Sequence, residues 1–270
     1  MDNRSKIILG LFLAVLIGII VTEIVRPKPL NWRPSYTSSD KIPFGCYILF
    51  HELPNLFPRQ KIHATNESLY NILVERDTTI ASNYLLINDF LDLDKQEANQ
   101  LLQYVHVGND SFIATSNFGT YLADTLNIKV ETQYSVKEDT VLIDLTNNSF
   151  SKQNYSLTRG IYITYFSSVD TLNTSVLGHI FYDSEKGLIP SESSKKTKSP
   201  NFVKVKFGKG NFYLNTAPQT FTNYYMLKGN KDYVANTFSY LKDMDVYWDN
   251  YKKTGRIVID SPMRFILNQV

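Results

Sequence analysis

The sequence is poor in the residues that form cross-links or bind metals. Its 270 residues include one cysteine, Cys46, and four histidines. A single cysteine excludes an internal disulfide and a cysteine-based zinc site within this sequence. The net charge is only +2, which does not favour nucleic acid as a partner. We therefore expect no metal or other cofactor, and the pattern of apolar residues becomes the main source of information.

The most prominent feature that is present is a long apolar run, IILGLFLAVLIGIIVTEIV, from Ile7 to Val25. A helix of that length spans roughly 28 Å, close to the thickness of a bilayer core. The run is longer than the apolar part of a cleaved signal peptide, and no small-x-small cleavage site follows it. We predict that residues 7–25 are a single-pass signal anchor in the lipid bilayer of the cytoplasmic (inner) membrane. A cleaved signal peptide and a buried core helix are the alternatives.

The residues around this span do not decide its orientation, because basic residues lie on both sides of it. N-terminal anchors with short leaders usually keep the leader inside, so we expect a cytoplasmic leader at 1–6 and a periplasmic main domain. Residues 26–43 contain four prolines and predict an extended spacer. Within the spacer, Trp32 is expected either at the lipid headgroups or packed on the domain.

Residues 44–250 are predicted to form one folded domain. Its first part, 44–128, alternates short apolar runs such as NYLLIND and DSFIATS with helical patterns. The clearest helix starts at Asp94, which forms a capping box with Glu97, and it stops at Gly108. This alternation is typical of right-handed crossovers, so the fold class is α/β, with a three-layer parallel-sheet arrangement.

The pattern changes after Lys129 to strands separated by Asn, Asp, Ser and Gly turns. The sequence GKG, from Gly208 to Gly210, predicts a hairpin. KDYVANTFSYLKD predicts a last helix. We therefore expect an antiparallel β extension of the parallel sheet, followed by a C-terminal segment, 251–270, that leads toward a second span.

Several short segments of the sequence resemble those of a known family. They are KPLNWRPSYTSSDKIPFGCYIL after the anchor, YLLIND with the helix and strand that follow it, and FGKGNFYLNTAPQTFTNYYML near the end. In these segments the chain resembles a bacterial membrane family described as domain of unknown function 4350. The order of elements is also similar to the class I glutamine amidotransferase-like (ThuA-like) fold. The resemblance implies a role in assembly or ligand sensing, beside membrane-associated MoxR-type ATPases and von Willebrand-type domain proteins.

The catalytic position of an amidotransferase is not occupied by cysteine. An active enzyme of that type needs a Cys at the sharp turn between a strand and the next helix. The turn that follows DSFIAT here begins with Ser116. A G-x-S-x-G elbow around it would need glycine where Ala114 and Phe118 stand. Cys46 lies in an apolar helical stretch and is predicted to be a core residue. The sequence therefore predicts a pseudoenzyme.

The histidines do not suggest a catalytic or metal site either. No two of them have ligand spacing such as H-E-x-x-H. Among the four, His63 is the best candidate for a catalytic residue, because it lies close to a predicted strand end. An unrecognised hydrolase set would have to combine it with Ser116 and Asp89.

Polar side chains collect where the predicted strands end. Ligands bind beyond the carboxyl ends of strands in open parallel sheets, so these residues are candidates for a ligand or partner surface. The same residue types also cap helices and satisfy turns, which is the plainer interpretation. The candidates are Asn66, Asn88, Asp89, Thr115, Ser116, Asn117 and Asn215, with Thr216 beside the last of them.

Two other stretches have both a structural and a functional interpretation. A basic run predicts either a solvated hairpin face or contact with anionic lipid or an acidic partner. The aromatic stretch APQTFTNYYML, Ala217 to Leu227, predicts either closure of the core or a partner-binding patch. The lysines of the basic run are Lys195, Lys196, Lys198, Lys204, Lys206 and Lys209.

Three functions remain open from the sequence. The first, which we favour, is a membrane-anchored, non-catalytic α/β domain that binds other proteins within a bacterial membrane-associated complex. The second is a periplasmic small-ligand sensor. The third is a hydrolase that uses the Ser116, His63 and Asp89 set.

Overall fold

A computed structural model describes residues 2–26, 29–75, 81–91, 93–133, 140–150, 154–182, 198–251 and 253. The chain divides into two compact units, one ending at Asn31 and the other beginning at Trp32. Of the sequence predictions, Lys195, Lys196 and residues 254–270 lie outside the described residues.

The first unit contains helix α1, Asn3–Val25, in which no residue is buried. The side chain of Asp2 caps it by accepting the amide N–H of Asn3 at 2.7 Å. Among the described residues, α1 is the one helix long and apolar enough to cross a membrane, although a signal sequence has the same properties. The predicted apolar helix is therefore present, and its composition is that of a single-pass anchor.

The second unit is built on one mixed sheet of nine strands, in the order β1-β11-β2-β3-β10-β9-β8-β5-β6. The strands β1, β11, β2, β3 and β10 run parallel to their neighbours, and β10 then pairs with β9 in antiparallel fashion. A second, two-stranded sheet pairs β4 with β7. The strands are β1 Ile62–Thr65, β2 Ser82–Ile87, β3 Asp110–Ala114, β4 Lys129–Gln133, β5 Val141–Leu145, β6 Asn154–Leu157, β7 Ile163–Ser168, β8 Thr174–Tyr182, β9 Ser199–Phe207, β10 Gly210–Asn215 and β11 Asp245–Asp249.

Helices cover both faces of the large sheet. Alternating side chains of β2 point to opposite faces, so Leu85 belongs to one core and Leu86 to the other. The first core also contains residues of α2 and α7, and the second contains residues of α3, α4 and α5. The helices are α2 Tyr47–Leu56, α3 Leu69–Glu75, α4 Lys95–His106, α5 Thr120–Thr125, α6 Asn223–Tyr225 and α7 Lys231–Phe238, with a 3₁₀ turn at Pro218–Phe221 and a π turn at Met226–Asn230.

Helix α4 has the start that its sequence predicts. Asp94 Oδ1 accepts the amide N–H of Glu97 at 2.8 Å, and Glu97 Oε2 accepts that of Asp94 at 3.2 Å. These two bonds satisfy N–H groups that have no partner inside the helix. Its buried face includes Ala98, Leu101, Leu102 and Val105.

The later part of the chain does more than extend the sheet. The predicted hairpin at Gly208 to Gly210 is confirmed, since β9 and β10 pair across it. However, β10 also pairs in parallel with β3, and β11 inserts between β1 and β2. The sequence predicts a parallel sheet with an antiparallel extension. The structure contains both in one mixed sheet, but two later strands, β10 and β11, belong to its parallel part. Parallel pairing between distant segments leaves no local pattern in the sequence.

The segment predicted as a spacer includes residues that belong to the folded unit. Ser35, Tyr36, Thr37 and Ser38 are buried. The side chain of Asn250 accepts the amide N–H of Ser38 at 3.1 Å and donates to its Oγ at 2.8 Å. Trp32 packs edge-on against the ring of Tyr224, with 5.2 Å between ring centroids.

The aromatic stretch from Ala217 to Leu227 closes one core. Ala217, Phe221 and Tyr225 are buried there, in line with the structural interpretation of this stretch. Leu227 and part of Tyr224 remain at the surface. In the basic run, Lys206 is exposed on β9, whereas the ammonium of Lys204 lies 5.7 Å from the centre of the Tyr213 ring.

Candidate functional site

The structure places the predicted surface residues along one edge of the large sheet. Five neighbouring strands are parallel, so their carboxyl ends share that edge. Asn88 and Asp89 follow β2, Thr115 to Asn117 follow β3, and Asn215 ends β10. Asn66 follows β1, which β11 separates from β2.

The hydroxyl groups at this edge hold its turns together. Ser116 Oγ donates to the backbone carbonyl oxygen of Asp89 at 2.5 Å. Thr115 Oγ1 lies 3.1 Å from the same oxygen and 3.0 Å from that of Asn117. The amide N–H of Ser116 donates to Asp89 as well, at 3.0 Å. These bonds join the turn after β2 to the turn after β3.

The amide side chains at the edge have similar roles. Asn88 Nδ2 donates to the carbonyl oxygen of Phe90 at 3.1 Å. Asn117 Oδ1 accepts the N–H of Gly119 at 2.9 Å. Asn215 accepts the N–H of Ala217 and donates to the hydroxyl of Tyr233. The turn-forming interpretation therefore accounts for most of the polar groups that the sequence pointed out.

The possible hydrolase set is not assembled among the described residues. His63 lies exposed on β1 and stacks on the ring of Tyr247, with 4.9 Å between centroids. Two strands, β11 and β2, stand between β1 and β3, which precedes Ser116. No described contact joins Ser116 to an imidazole, because its hydroxyl donates to a main-chain carbonyl instead.

A pocket opens at the same edge, between the ends of β2 and β11 and the helices α3 and α4. Its empty volume is about 320 Å³, part of which is open to solvent. Apolar and ionisable side chains share its wall. The lining residues are Leu69, Leu86, Asn88, Leu91, Leu93, Glu97, Asp249, Tyr251 and Lys253.

The carboxylate of Asp249 lies at the inner end of this pocket and is 4% exposed as a residue. Its Oδ2 accepts the hydroxyl of Tyr84 at 2.6 Å, and its Oδ1 accepts the amide N–H of Tyr251 at 2.6 Å. Burial raises the pKa of Asp249, although Lys253 and these two donors oppose the change. The same burial, with the charge of Asp249 beside it, raises the pKa of Tyr84 well above its ordinary value.

Lys253 supplies a buried ammonium group to the same pocket. Its Nζ donates to the carbonyl oxygen of Ile87 at 2.7 Å and lies 5.6 Å from the centre of the Trp248 ring. Burial lowers the pKa of Lys253, and the charge of Asp249 acts in the opposite direction. The pocket thus combines an acid and a base that are both far less solvated than ordinary surface groups.

A second set of buried groups lies nearby. Tyr36 is fully buried with φ of 52°, a conformation that L-residues other than Asn and Asp rarely adopt. Burial and the neighbouring Asp89 raise its pKa. Burial also raises the pKa of Asp89, while the Tyr36 hydroxyl lowers it. Tyr36, in the segment before α2, therefore lies near Asp89, in the turn after β2.

Cys46 is a core residue, as the sequence predicts. It is buried, and its burial raises the pKa of the thiol to about 12, against a smaller lowering by Lys253. A thiol with that pKa is almost entirely protonated at neutral pH, so it is a poor nucleophile. The described residues contain no group of three or more His, Cys, Asp and Glu side chains arranged for a metal.

Sequence reasoning missed the residues at the base of the pocket. Asp249 and Lys253 line the pocket, and Tyr84 bonds to Asp249, only because β11 inserts next to β2. The sequence VYWDNY contained the one available indication, an acidic residue directly after an aromatic, strand-like run.

Several solved structures resemble the chain distantly. The mmIFT52 N-terminal domain is 13% identical with a TM-score of 0.46, and the match covers 71% of this chain and 89% of that one. An exo-beta-1,4-mannosidase, Op5Man5 from Opitutaceae bacterium strain TAV5, is 11% identical with a TM-score of 0.38, over 59% of this chain. This chain spans about a quarter of that enzyme, 24%. No curated protein matches the chain.

A family model does match most of the chain. It is described as Domain of unknown function (DUF4350), and it covers residues 38–238. The match includes β2, α4 and the β9–β10 hairpin, whose sequences suggested the resemblance. The chain therefore belongs to the DUF4350 family.

Proposed function

We propose that this protein is a membrane-anchored, non-catalytic component of a bacterial membrane-associated complex. In this proposal α1 is the anchor, and the main domain, on the periplasmic side, binds a segment of a partner protein at the pocket. The scaffold is that of a glutamine amidotransferase-like domain without its cysteine nucleophile. A MoxR-type ATPase system is the kind of neighbour that the family resemblance suggests.

The pocket between β2 and β11 carries the proposal. It stands where the carboxyl ends of parallel strands meet, the usual place for binding in such sheets. Its base contains Asp249 and Lys253, which can bond to a polar group, and its wall contains leucines that can pack on an apolar one. A peptide segment with both kinds of side chain is complementary to this lining.

The size of the pocket favours a partner segment over a free metabolite. Sites for small ligands typically enclose about 300–1,000 Å³. Here about 320 Å³ includes the open mouth, so the enclosed part holds only a few heavy atoms. A single side chain or chain end fits such a space when the rest of the partner lies outside. A small-ligand sensor at this edge would be expected to line its pocket with both Asn88 and Asn117, and Asn117 does not line this one.

Photo-crosslinking in native membranes tests the proposal. A photoreactive phenylalanine analogue would replace Leu93 at the half-buried wall of the pocket and, in a matched variant, Lys209 in the exposed β9–β10 turn. We expect a reproducible adduct with one protein from position 93 and none from position 209. No adduct at 93, or the same adduct from both positions, contradicts binding at the pocket.

A further inference from the structure

Three segments of the main domain meet at the surface around Trp32. The ring of Trp32 packs edge-on against Phe44, with 5.7 Å between centroids, and against Tyr224. The guanidinium of Arg159 lies 3.9 Å from the centre of the Trp32 ring. We call the surface formed by Trp32, Arg159, Tyr224, Leu227 and Lys228 the Trp32 patch.

Hydrogen bonds to buried groups hold these segments in place. The hydroxyl of Tyr225 accepts the amide N–H groups of Thr158 and Arg159, at 3.2 and 2.8 Å. The amide N–H of Tyr224 donates to the carbonyl oxygen of Pro43 at 2.8 Å. Gly160, with φ of 67°, lies so close to Phe44 that a Cβ there would be 2.9 Å from its ring. These contacts therefore fix the position of the patch within the domain.

The Trp32 patch combines exposed apolar surface with positive charge. Leu227 is 77% exposed. Arg159 and Lys228 are exposed, and the ammonium of Lys228 lies 5.8 Å from the centre of the Tyr224 ring. Aromatic rings with an amphipathic character and basic side chains are the residues that favour the interface of an anionic bilayer.

The sequence limits how far Trp32 can be from the anchor. Trp32 follows Val25, the last residue of α1, by only seven residues. A fully extended chain of that length spans at most about 25 Å. If α1 is in the bilayer, Trp32 is therefore tethered close to the lipid headgroups.

We propose that the Trp32 patch binds the surface of the anchoring membrane through anionic phospholipid headgroups. Leu227 and the edge of Trp32 enter the headgroup layer, and Arg159 and Lys228 bind lipid phosphates. The inference shares with the proposed function only the anchor α1 and does not depend on the pocket. It assigns a separate role to a surface on which the aromatic stretch and the segment after the anchor meet.

Quenching of tryptophan fluorescence by brominated lipids tests this contact in the full chain. The protein contains two tryptophans, and Trp248 is fully buried, so it serves as an internal reference. The full chain would be reconstituted into vesicles of brominated phosphatidylcholine, with or without phosphatidylglycerol. We expect quenching of Trp32 to be about twofold stronger with the anionic lipid. Trp32→Phe should remove the quenched emission.

Charge reversal distinguishes binding of lipid by the Trp32 patch from a general attraction between the basic protein and the anionic membrane. Arg159→Glu with Lys228→Glu should reduce quenching in anionic vesicles to the level in neutral ones. The matched control, Lys95→Glu with Lys209→Glu, changes two exposed lysines of the same domain and should leave quenching unchanged. The proposal is overturned if both double variants lose the same amount of quenching, or if Trp32 is not quenched in the wild type. Quenching only in the presence of the crosslinked partner assigns the patch to protein binding and also overturns it.

The anchor is checked separately by flotation of the same vesicles. Protein that floats without quenching of Trp32 contradicts the patch and leaves the anchor intact. Protein that does not float contradicts the anchor, and with it both proposals.

Discussion

The hydroxyl of Tyr84 lies 2.6 Å from Oδ2 of Asp249, and this bond joins a side chain of β2 to the end of β11. The two residues are 165 positions apart in the chain. Because Asp249 is buried, the phenol replaces part of the solvation that its carboxylate loses. This contact, with Lys253 beside it, creates the polar base of the pocket.

The buried charges of Asp249 and Lys253 are expected to depend on each other. Asp249→Asn and Lys253→Met should each destabilise the domain, because each leaves the opposite charge buried with less compensation. The double variant should be more stable than the sum predicts, with a coupling of about 1–3 kcal/mol. Urea unfolding of the wild type, the two single variants and the double variant at pH 7 measures this coupling. Strict additivity would show that the two charges do not interact.

Asp144 is expected to stabilise the domain except in acid. Its Oδ1 lies 3.1 Å from His179 Nδ1 and its Oδ2 2.5 Å from Lys198 Nζ. Burial raises the pKa of Asp144, but these bonds reverse the effect and hold it below its ordinary value of 3.8. A lowered carboxyl pKa contributes stability above 3.8 that is lost as pH falls through the folded-state pKa.

The test for Asp144 is the pH dependence of unfolding in Asp144→Asn. Since Lys198 is half exposed, we expect a loss of only about 1 kcal/mol at pH 7. The difference from the wild type should shrink below pH 4. Asp124→Asn, an exposed change on α5, is the control. A difference that grows in acid would contradict the assignment.

Gly210 is expected to tolerate no side chain. A Cβ at this position would lie 2.0 Å from the carbonyl oxygen of Asn109 and 2.5 Å from that of Val105. Both obstacles are backbone atoms, so Gly210→Ala should separate α4 from β10 and cost about 3 kcal/mol or more. Lys209→Ala, one residue earlier and exposed, should stay within about 0.5 kcal/mol. Thermal unfolding compares the two, and equal stability would contradict the predicted clash.

Ser116 is expected to act as a turn residue. Ser116→Ala removes the bond to the Asp89 carbonyl and should cost about 1 kcal/mol in the free energy of unfolding. The wild-type protein should not be labelled by a fluorophosphonate probe, which modifies activated serines. Labelling that disappears in Ser116→Ala would favour the hydrolase alternative. A serine hydrolase of the same membrane serves as the positive control.

The apolar side chains of α1 are expected to hold the protein in the membrane. Leu16→Arg places a charge near the middle of the helix, at a cost of about 2.5–3.5 kcal/mol on insertion scales. More protein should then be released by alkaline extraction. Glu23→Arg, near the end of the helix, should remain bound because its side chain reaches the interface. Equal extraction of both variants would contradict a spanning helix.

The elements with strong local signals were predictable. The capping box of α4, the apolar run of β2 and the glycines of the β9–β10 turn each specify their conformation within a few residues. The polar residues that follow β2 and β3 lie at the same edge of the sheet, and their use as a binding surface stays a prediction. Their individual roles were not apparent, because asparagine and serine serve turns and binding sites equally well.

By itself, the sequence determined an apolar N-terminal helix, an alternation of strands and helices, and the absence of cysteine at the strand–helix turn before Phe118. These depend on local composition, hydrophobic period and residue identity. Only the tertiary structure decided that β11 lies between β1 and β2, that Ser35 to Ser38 are buried in the domain, and that Asp249 bonds to Tyr84 and shares a pocket with Lys253. Those contacts join residues far apart in the chain, and their energy comes from burial that appears only when the whole sheet has formed.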